Sequence, residues 1–134
     1  MPAYEHVVPL RWGDFDPLQH VNNVRYFEFM QDARVGMLES MGLDRTYLSV
    51  VGQFVAHNEI DYLLPIPLEV TQIKIRIWVE KVGGASYDLG YEFIGPESQI
   101  YAKAATVMVT VDMKTQTVVR IPAELRERFE SLRP

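Results

Sequence analysis

Apolar residues in this chain change their spacing three times, and each change marks an element. Residues 5 to 11 read as a short strand. From about Asn23 to Met41 the spacing becomes three and four. Tyr26, Met30, Ala33, Met37 and Met41 then form one stripe, widened by Phe27 and Leu38. Arg25, Glu28, Gln31, Asp32 and Glu39 fall on the opposite face, as expected of a helix with one side in water. Asn22 or Asn23 suits its N-cap and Gly42 its C-terminal stop.

Beyond a connecting segment the period falls to two. Phe54, Ala56, Asn58, Ile60 and Tyr62 alternate with Val55, His57, Glu59 and Asp61, and Thr71 to Val79 alternate with Gln72 to Glu80. Gly83-Gly84 predicts a tight hairpin into Tyr87, Leu89, Tyr91 and Phe93, and Gly95-Pro96-Glu97-Ser98 a turn into Ile100 to Asp112. Thr117 to Arg120 fits a last short strand, and Pro122 the first turn of a closing helix to about Leu132.

One long helix and five or six antiparallel strands predict an α+β fold in which the sheet wraps around the helix, because the sheet has no other cover for its apolar face. Trp78, Tyr101 and Met108 are expected on the outward face among charges, so at least a dimer is expected, a homodimer or homotetramer.

Composition narrows the function. At 134 residues and 48% hydrophobic the chain fits a single domain, 1–134. It carries no run of apolar residues long enough to span a bilayer and no basic, apolar leader, which predicts a soluble, cytoplasmic protein. The lack of cysteine excludes thiolate nucleophiles and Cys-ligated metals. A net charge of -5 with no basic stripe argues against nucleic acid.

Candidate chemistry is concentrated in the loop before the helix. Asp14, Asp16, His20, Asn22 and Asn23 sit in a Pro-containing segment at the helix mouth. Each has a structural reading beside a functional one. Asp14 is expected to hold the turn or pair with Arg11. Asp16-Pro17 is either a turn starter or a catalytic carboxylate. His20 stands open between base, substrate contact and loop hydrogen-bonder, and Asn22 between cap and substrate contact. Arg34 lies within the helix's apolar arc, where an ion pair with Asp61, Glu59 or another carboxylate is expected.

The Asp14-Phe15-Asp16-Pro17 turn, the His20-Val21-Asn22-Asn23 segment, Tyr26-Phe27 and Ala33-Arg34 together resemble the 4-hydroxybenzoyl-CoA thioesterase-like family of hotdog-fold acyl-CoA thioesterases. Element order matches from His6 to about Arg120. The resemblance implies a hotdog fold, an acyl-CoA substrate and no cofactor or metal. It implies that Asp16 is the catalytic carboxylate and that the backbone amide of Asn23 polarises the thioester carbonyl. The tol-pal-associated members carry a Gly-rich, Tyr-His-containing segment where this chain has Leu18-Gln19-His20-Val21-Asn22.

These assignments suit the chemistry. Thioester hydrolysis needs an activated water or a nucleophile, and a donor for the charge growing on the carbonyl oxygen. A carboxylate supplies the first and unpaired N–H groups at a helix N-terminus the second. His20, Asn22, Asn58, Lys81 and Ser86 are the candidate substrate contacts. Lys74, Arg76, Lys81 and Arg120 are candidates for coenzyme A phosphates, and Asn58, on the same face as Phe54 and Ile60, for the acyl pocket or for satisfied burial. An acidic chain suits coenzyme A better than an acidic carrier protein. The rivals are a hydratase or dehydratase pairing Asp16 with His20, a non-catalytic acyl-thioester binder, and a metal-dependent hydrolase using Asp14, Asp16 and His20. Dominance of antiparallel strands speaks against the last.

Overall fold

The computed structural model describes residues 2–134. Its elements run β1 (Tyr4–Pro9), a 3-10 turn (Trp12–Asp14), α1 (Asn23–Ser40), α2 (Arg45–Leu48), β2 (Val51–Tyr62), β3 (Gln72–Val82), β4 (Ser86–Ile94), β5 (Ile100–Asp112), β6 (Thr117–Val118) and α3 (Ala123–Glu130). The sheet is antiparallel throughout, in the order β1-β3-β4-β5-β2, with β6 paired to the end of β5.

Period-two alternation puts Ile73, Ile75, Ile77 and Val79 of β3 beside Tyr87, Leu89, Tyr91 and Phe93 of β4, all buried on one face. Against that face lie Tyr26, Phe29, Met30, Ala33, Met37 and Leu38 of α1. Fully burying such side chains contributes roughly 1.5–3 kcal/mol each. The helix packs on β1 and β3, and Gly36 lets it approach β1, since the Tyr4 hydroxyl lies 2.6 Å from where a Cβ would stand. The edge strand β2 stands away from α1. α3 closes the far end, where Arg128 donates to the Met41 carbonyl at 2.7 Å and Val79 N–H to the Leu132 carbonyl at 3.0 Å.

The long helix, the strand order along the chain and the Gly83-Gly84 hairpin are as expected; several details differ. Asn22, not Asn23, is the N-cap, and Pro122 caps α3 from outside instead of occupying its first turn. Leu10 and Arg11 lie beyond β1, and β6 stops at Val118. Phe27 is partly exposed, whereas Phe29 and Arg34 are buried. Met108 faces the core, opposite Tyr87, and Tyr101 is buried too, so neither is an outward residue. Trp78 does point outward, its ring laid over Gly90 so closely that a Cβ there would stand 2.6 Å from it. Its indole N–H donates to Glu80 at 2.6 Å.

β2 carries an irregularity between Val55 and His57 that inserts Ala56 and reverses the alternation. Phe54 therefore pairs with Val109 on the outer side, while Asn58, Ile60 and Tyr62 pair with Thr106, Ala104 and Ala102 on the inner side. Phe54 and Asn58 do not share a face, contrary to simple period-two reading.

Candidate active site

The loop before α1 is tied down at both ends. Phe15 bridges Val21 and His20 bridges Pro67, and Val21 N–H donates to the Ile66 carbonyl at 3.0 Å. Within the loop, Asp16 N–H donates to the His20 carbonyl at 3.0 Å and Gln19 N–H to the Asp16 carbonyl at 2.9 Å. Gln19 takes φ of 62°, a left-handed conformation that this closed turn imposes. The turn carries Asp16 on a rigid frame.

Asp14 and Asp16 have opposite environments. Asp14 is 1% exposed, accepts the Arg11 N–H at 2.8 Å and lies 3.4 Å from the Arg11 and 3.8 Å from the Arg25 guanidinium. Its own carbonyl receives the Asn22 N–H at 2.8 Å. That is the structural role expected of it. Asp16 is half-exposed, and one oxygen accepts the Leu18 N–H at 2.9 Å. Its other oxygen has no partner among the described residues. Asp16 lines a depression of about 350 Å³ with Trp12, Phe15, Pro17, Gln19 and Leu68.

The helix mouth is built by capping. The Asn22 side chain accepts the Val24 N–H at 3.0 Å, and the Asn22 carbonyl accepts the Arg25 N–H at 2.9 Å. The first helical N–H, that of Asn23, has no acceptor among the described residues. Asn23 lines a second depression of about 260 Å³, with His20, Tyr26, Tyr62, Leu63, Leu64 and Pro65 among others. Tyr62 donates from its hydroxyl to the Asn23 carbonyl at 3.4 Å and meets Tyr26 edge to face at 4.9 Å. Burial, then the neighbouring Tyr62 and Tyr101 hydroxyls, push Tyr26 up to about 12, so it stays a neutral phenol at ordinary pH.

Asp16, His20, Asn22 and Asn23 thus lie on one loop–helix junction, Asp16 lining one depression and His20 and Asn23 the other. Asn58 does not join them. Half-buried on β2, it accepts a hydrogen bond from the Thr106 hydroxyl at 2.7 Å. Lys81 and Ser86 flank the β3–β4 hairpin, while the Asp16 loop adjoins the start of β3. Nine residues of extended strand, roughly 30 Å, separate them within one chain. Lys74 and Arg76 are engaged by Glu5 at 3.6 and 3.3 Å on the outer face. Arg34 finds none of the carboxylates expected for it; its Nη1 donates to the Tyr91 hydroxyl at 3.0 Å.

The walls of the site escaped the sequence reading. Tyr62 and Tyr26 were legible only as alternation and stripe, and Leu63, Leu64 and Leu68 fell in a segment with no period. The available signal was the run Leu63-Leu64-Pro65-Ile66-Pro67-Leu68, apolar yet barred by its prolines from continuing the strand.

With this geometry in hand, known proteins give a consistent picture. The family model of the thioesterase-like superfamily matches residues 10–129. The long-chain acyl-CoA thioesterase FadM of Escherichia coli (strain K12) is 32% identical over 127 residues, covering 93% of this chain and 96% of FadM. The PA5185 protein of Pseudomonas aeruginosa superposes with a TM-score of 0.86 at 29% identity, covering 98% of this chain and 92% of its own. The SAV2348 protein of Staphylococcus aureus, solved in complex with CoA, shares the fold at a TM-score of 0.89 and 12% identity, covering 98% of this chain and 86% of its own. The curled antiparallel sheet around a long helix is the hotdog fold, and the chain belongs to the thioesterase-like superfamily as a thioester hydrolase.

Proposed function

We propose that this protein hydrolyses acyl-CoA thioesters to the free acid and coenzyme A at the junction of the Asp16 loop and α1. The observation that carries the reading is a partly exposed carboxylate, Asp16, on a braced loop that leads directly into the unpaired first helical N–H, that of Asn23. The likeness to FadM over nearly the whole chain supports the acyl-CoA substrate.

In the reaction the thioester carbonyl oxygen accepts the Asn23 N–H, aided by the positive end of the α1 dipole. Acting as general base, Asp16 takes a proton from water as the water oxygen bonds to the carbonyl carbon. The C–S bond then breaks, and the thiolate of coenzyme A leaves with the proton returned by Asp16. Acting as nucleophile, Asp16 forms a mixed anhydride with expulsion of the thiolate, and water cleaves the anhydride. The apolar side chains Trp12, Leu63, Leu64 and Leu68 around the two depressions supply acyl contacts. Lys81 and Ser86, too far from Asp16 within one chain, enter this reading only as contacts that a second copy would contribute to the coenzyme A portion.

Asp16→Asn keeps the size and removes the charge. Steady-state hydrolysis of a panel of aromatic, short and long acyl-CoA thioesters should show turnover reduced by about 10²–10⁴-fold on the best substrate, with thermal melting unchanged. Wild-type turnover in that variant would sink the mechanism. Turnover of an enoyl-CoA to its hydrated product, without release of coenzyme A, would move the assignment to a hydratase.

A further inference from the structure

We propose that the cleft between α1 and β2 binds the carboxylate end of an amphiphilic acid, with Arg34 gripping the carboxylate and the cleft wall holding its alkyl chain. The cleft encloses about 380 Å³, within the range of small-molecule sites. Val35, Leu38, Val55 and Met108 give it apolar walls, and among the described residues Arg34 is the one cation that lines it.

Arg34 is 9% exposed and always charged, with five N–H donors in a planar fork. One donor goes to the Tyr91 hydroxyl. The Tyr91 and Thr106 hydroxyls lie 2.8 Å apart, and Thr106 donates onward to Asn58. Because the Thr106 hydrogen is committed to Asn58, the Tyr91 hydrogen must point to Thr106. Every donor in the chain therefore points away from Arg34, and the chain ends on a neutral amide. No carboxylate pairs with Arg34 among the described residues. The other guanidinium nitrogens make no hydrogen bond among the described residues and are not shut off from solvent, so they are open to a ligand's counter-charge. A carboxylate matches the fork in a two-pronged geometry, and a single anionic head followed by an alkyl chain matches one cation set among apolar walls.

The site is separate from the thioester junction, since eleven helical residues place Arg34 about 16 Å along α1 from Asn23. The proposal does not rest on thioesterase activity. The acid has two possible sources: a free fatty acid, or an acyl-CoA whose chain carries a second carboxylate at its far end.

The test is a titration of the protein with dodecanoate and with dodecanol, following the Arg34 Nε–H signal by ¹⁵N NMR; the signal is assigned by its loss in Arg34→Gln. Dodecanoate should move it saturably, and dodecanol should bind at least about tenfold more weakly, as loss of a charge-assisted contact implies. Arg34→Gln, followed through neighbouring backbone amides, should weaken dodecanoate by a similar factor, with partial recovery in Arg34→Lys. Val35→Trp fills the cleft mouth at an exposed position and should abolish binding even if Arg34 variants fail to fold. Asp16→Asn should leave it intact, which separates this site from the catalytic one. A KM for the CoA thioester of dodecanedioic acid that rises in Arg34→Gln, with that for dodecanoyl-CoA unchanged, assigns the second source; unchanged KM for both, with dodecanoate binding lost, assigns the first. Equal affinity for dodecanol and dodecanoate, or dodecanoate binding that survives Val35→Trp, would overturn the proposal.

Discussion

Two aspartates two positions apart, Asp14 and Asp16, illustrate how environment sets identical side chains apart. Asp14 is buried against Arg11 and Arg25 and receives a backbone N–H, whereas Asp16 keeps one oxygen open to a depression. Asp14→Asn should therefore act on stability, costing about 2–3 kcal/mol in chemical denaturation through lost charge-assisted bonds, while turnover of the folded fraction stays within a few-fold. A fully stable but inactive Asp14→Asn protein would exchange the proposed roles of the two residues. At this scale the loop's candidate groups and the burial-bound role of Asp14 were legible, because Asp14, Asp16, His20 and the asparagines are crowded into a short local segment. Arg34 was misread for the opposite reason. Its partner Tyr91 lies 57 positions away, and nothing local indicates which side chain a folded sheet will bring to a helix face.

Among the elements, α1 matters most to the proposal, which takes the donor from its first turn, while its apolar stripe fixes where that turn points. Asn23→Ala preserves the amide and should retain turnover within about tenfold, while Asn23→Pro removes the N–H at a position where helices tolerate proline and should lower turnover by about 10²–10³-fold. Kinetics with thermal melts checks both; a folded Asn23→Pro enzyme of normal turnover would pass the role to Val24, and an inactive Asn23→Ala enzyme to the Asn23 side chain. Strong periods made α1 and the four long strands readable. The inserted Ala56 in β2 and Glu80 in β3 were not, because one added residue reverses alternation without leaving a mark in composition. The four residues of α2 are likewise too few to show a helical period.

For the whole molecule, the twelve-residue β2 lies at the sheet edge with Phe54, Val55 and Tyr62 partly exposed, followed by the equally exposed Leu63 and Leu64. Such an edge invites pairing with a second copy, so sedimentation should show an active dimer or tetramer, and a stable active monomer would contradict that expectation. Stability at high pH follows from the buried phenols. Burial raises Tyr87 and Tyr91 above 10.0, and burial, Tyr62 and Tyr101 raise Tyr26 to about 12. The folded state thus keeps protons that the unfolded chain releases, so this stabilisation is complete below pH 10.0 and fades as pH climbs through about 12. Tyr26 alone accounts for a loss on the order of 3 kcal/mol, and melting points recorded across that window should fall; in Tyr26→Phe they should fall less. The chain's two tryptophans sit at places with different fates: Trp12, 81% exposed, stands beside Asp16, and Trp78 is clamped over Gly90 in mid-sheet. Their light emission is thereby divided in advance. With Trp78 replaced by Phe, fluorescence reports ligand arrival at the loop; with Trp12 replaced, the remaining indole reports the sheet coming apart, so one protein carries separate optical readouts for binding and for unfolding.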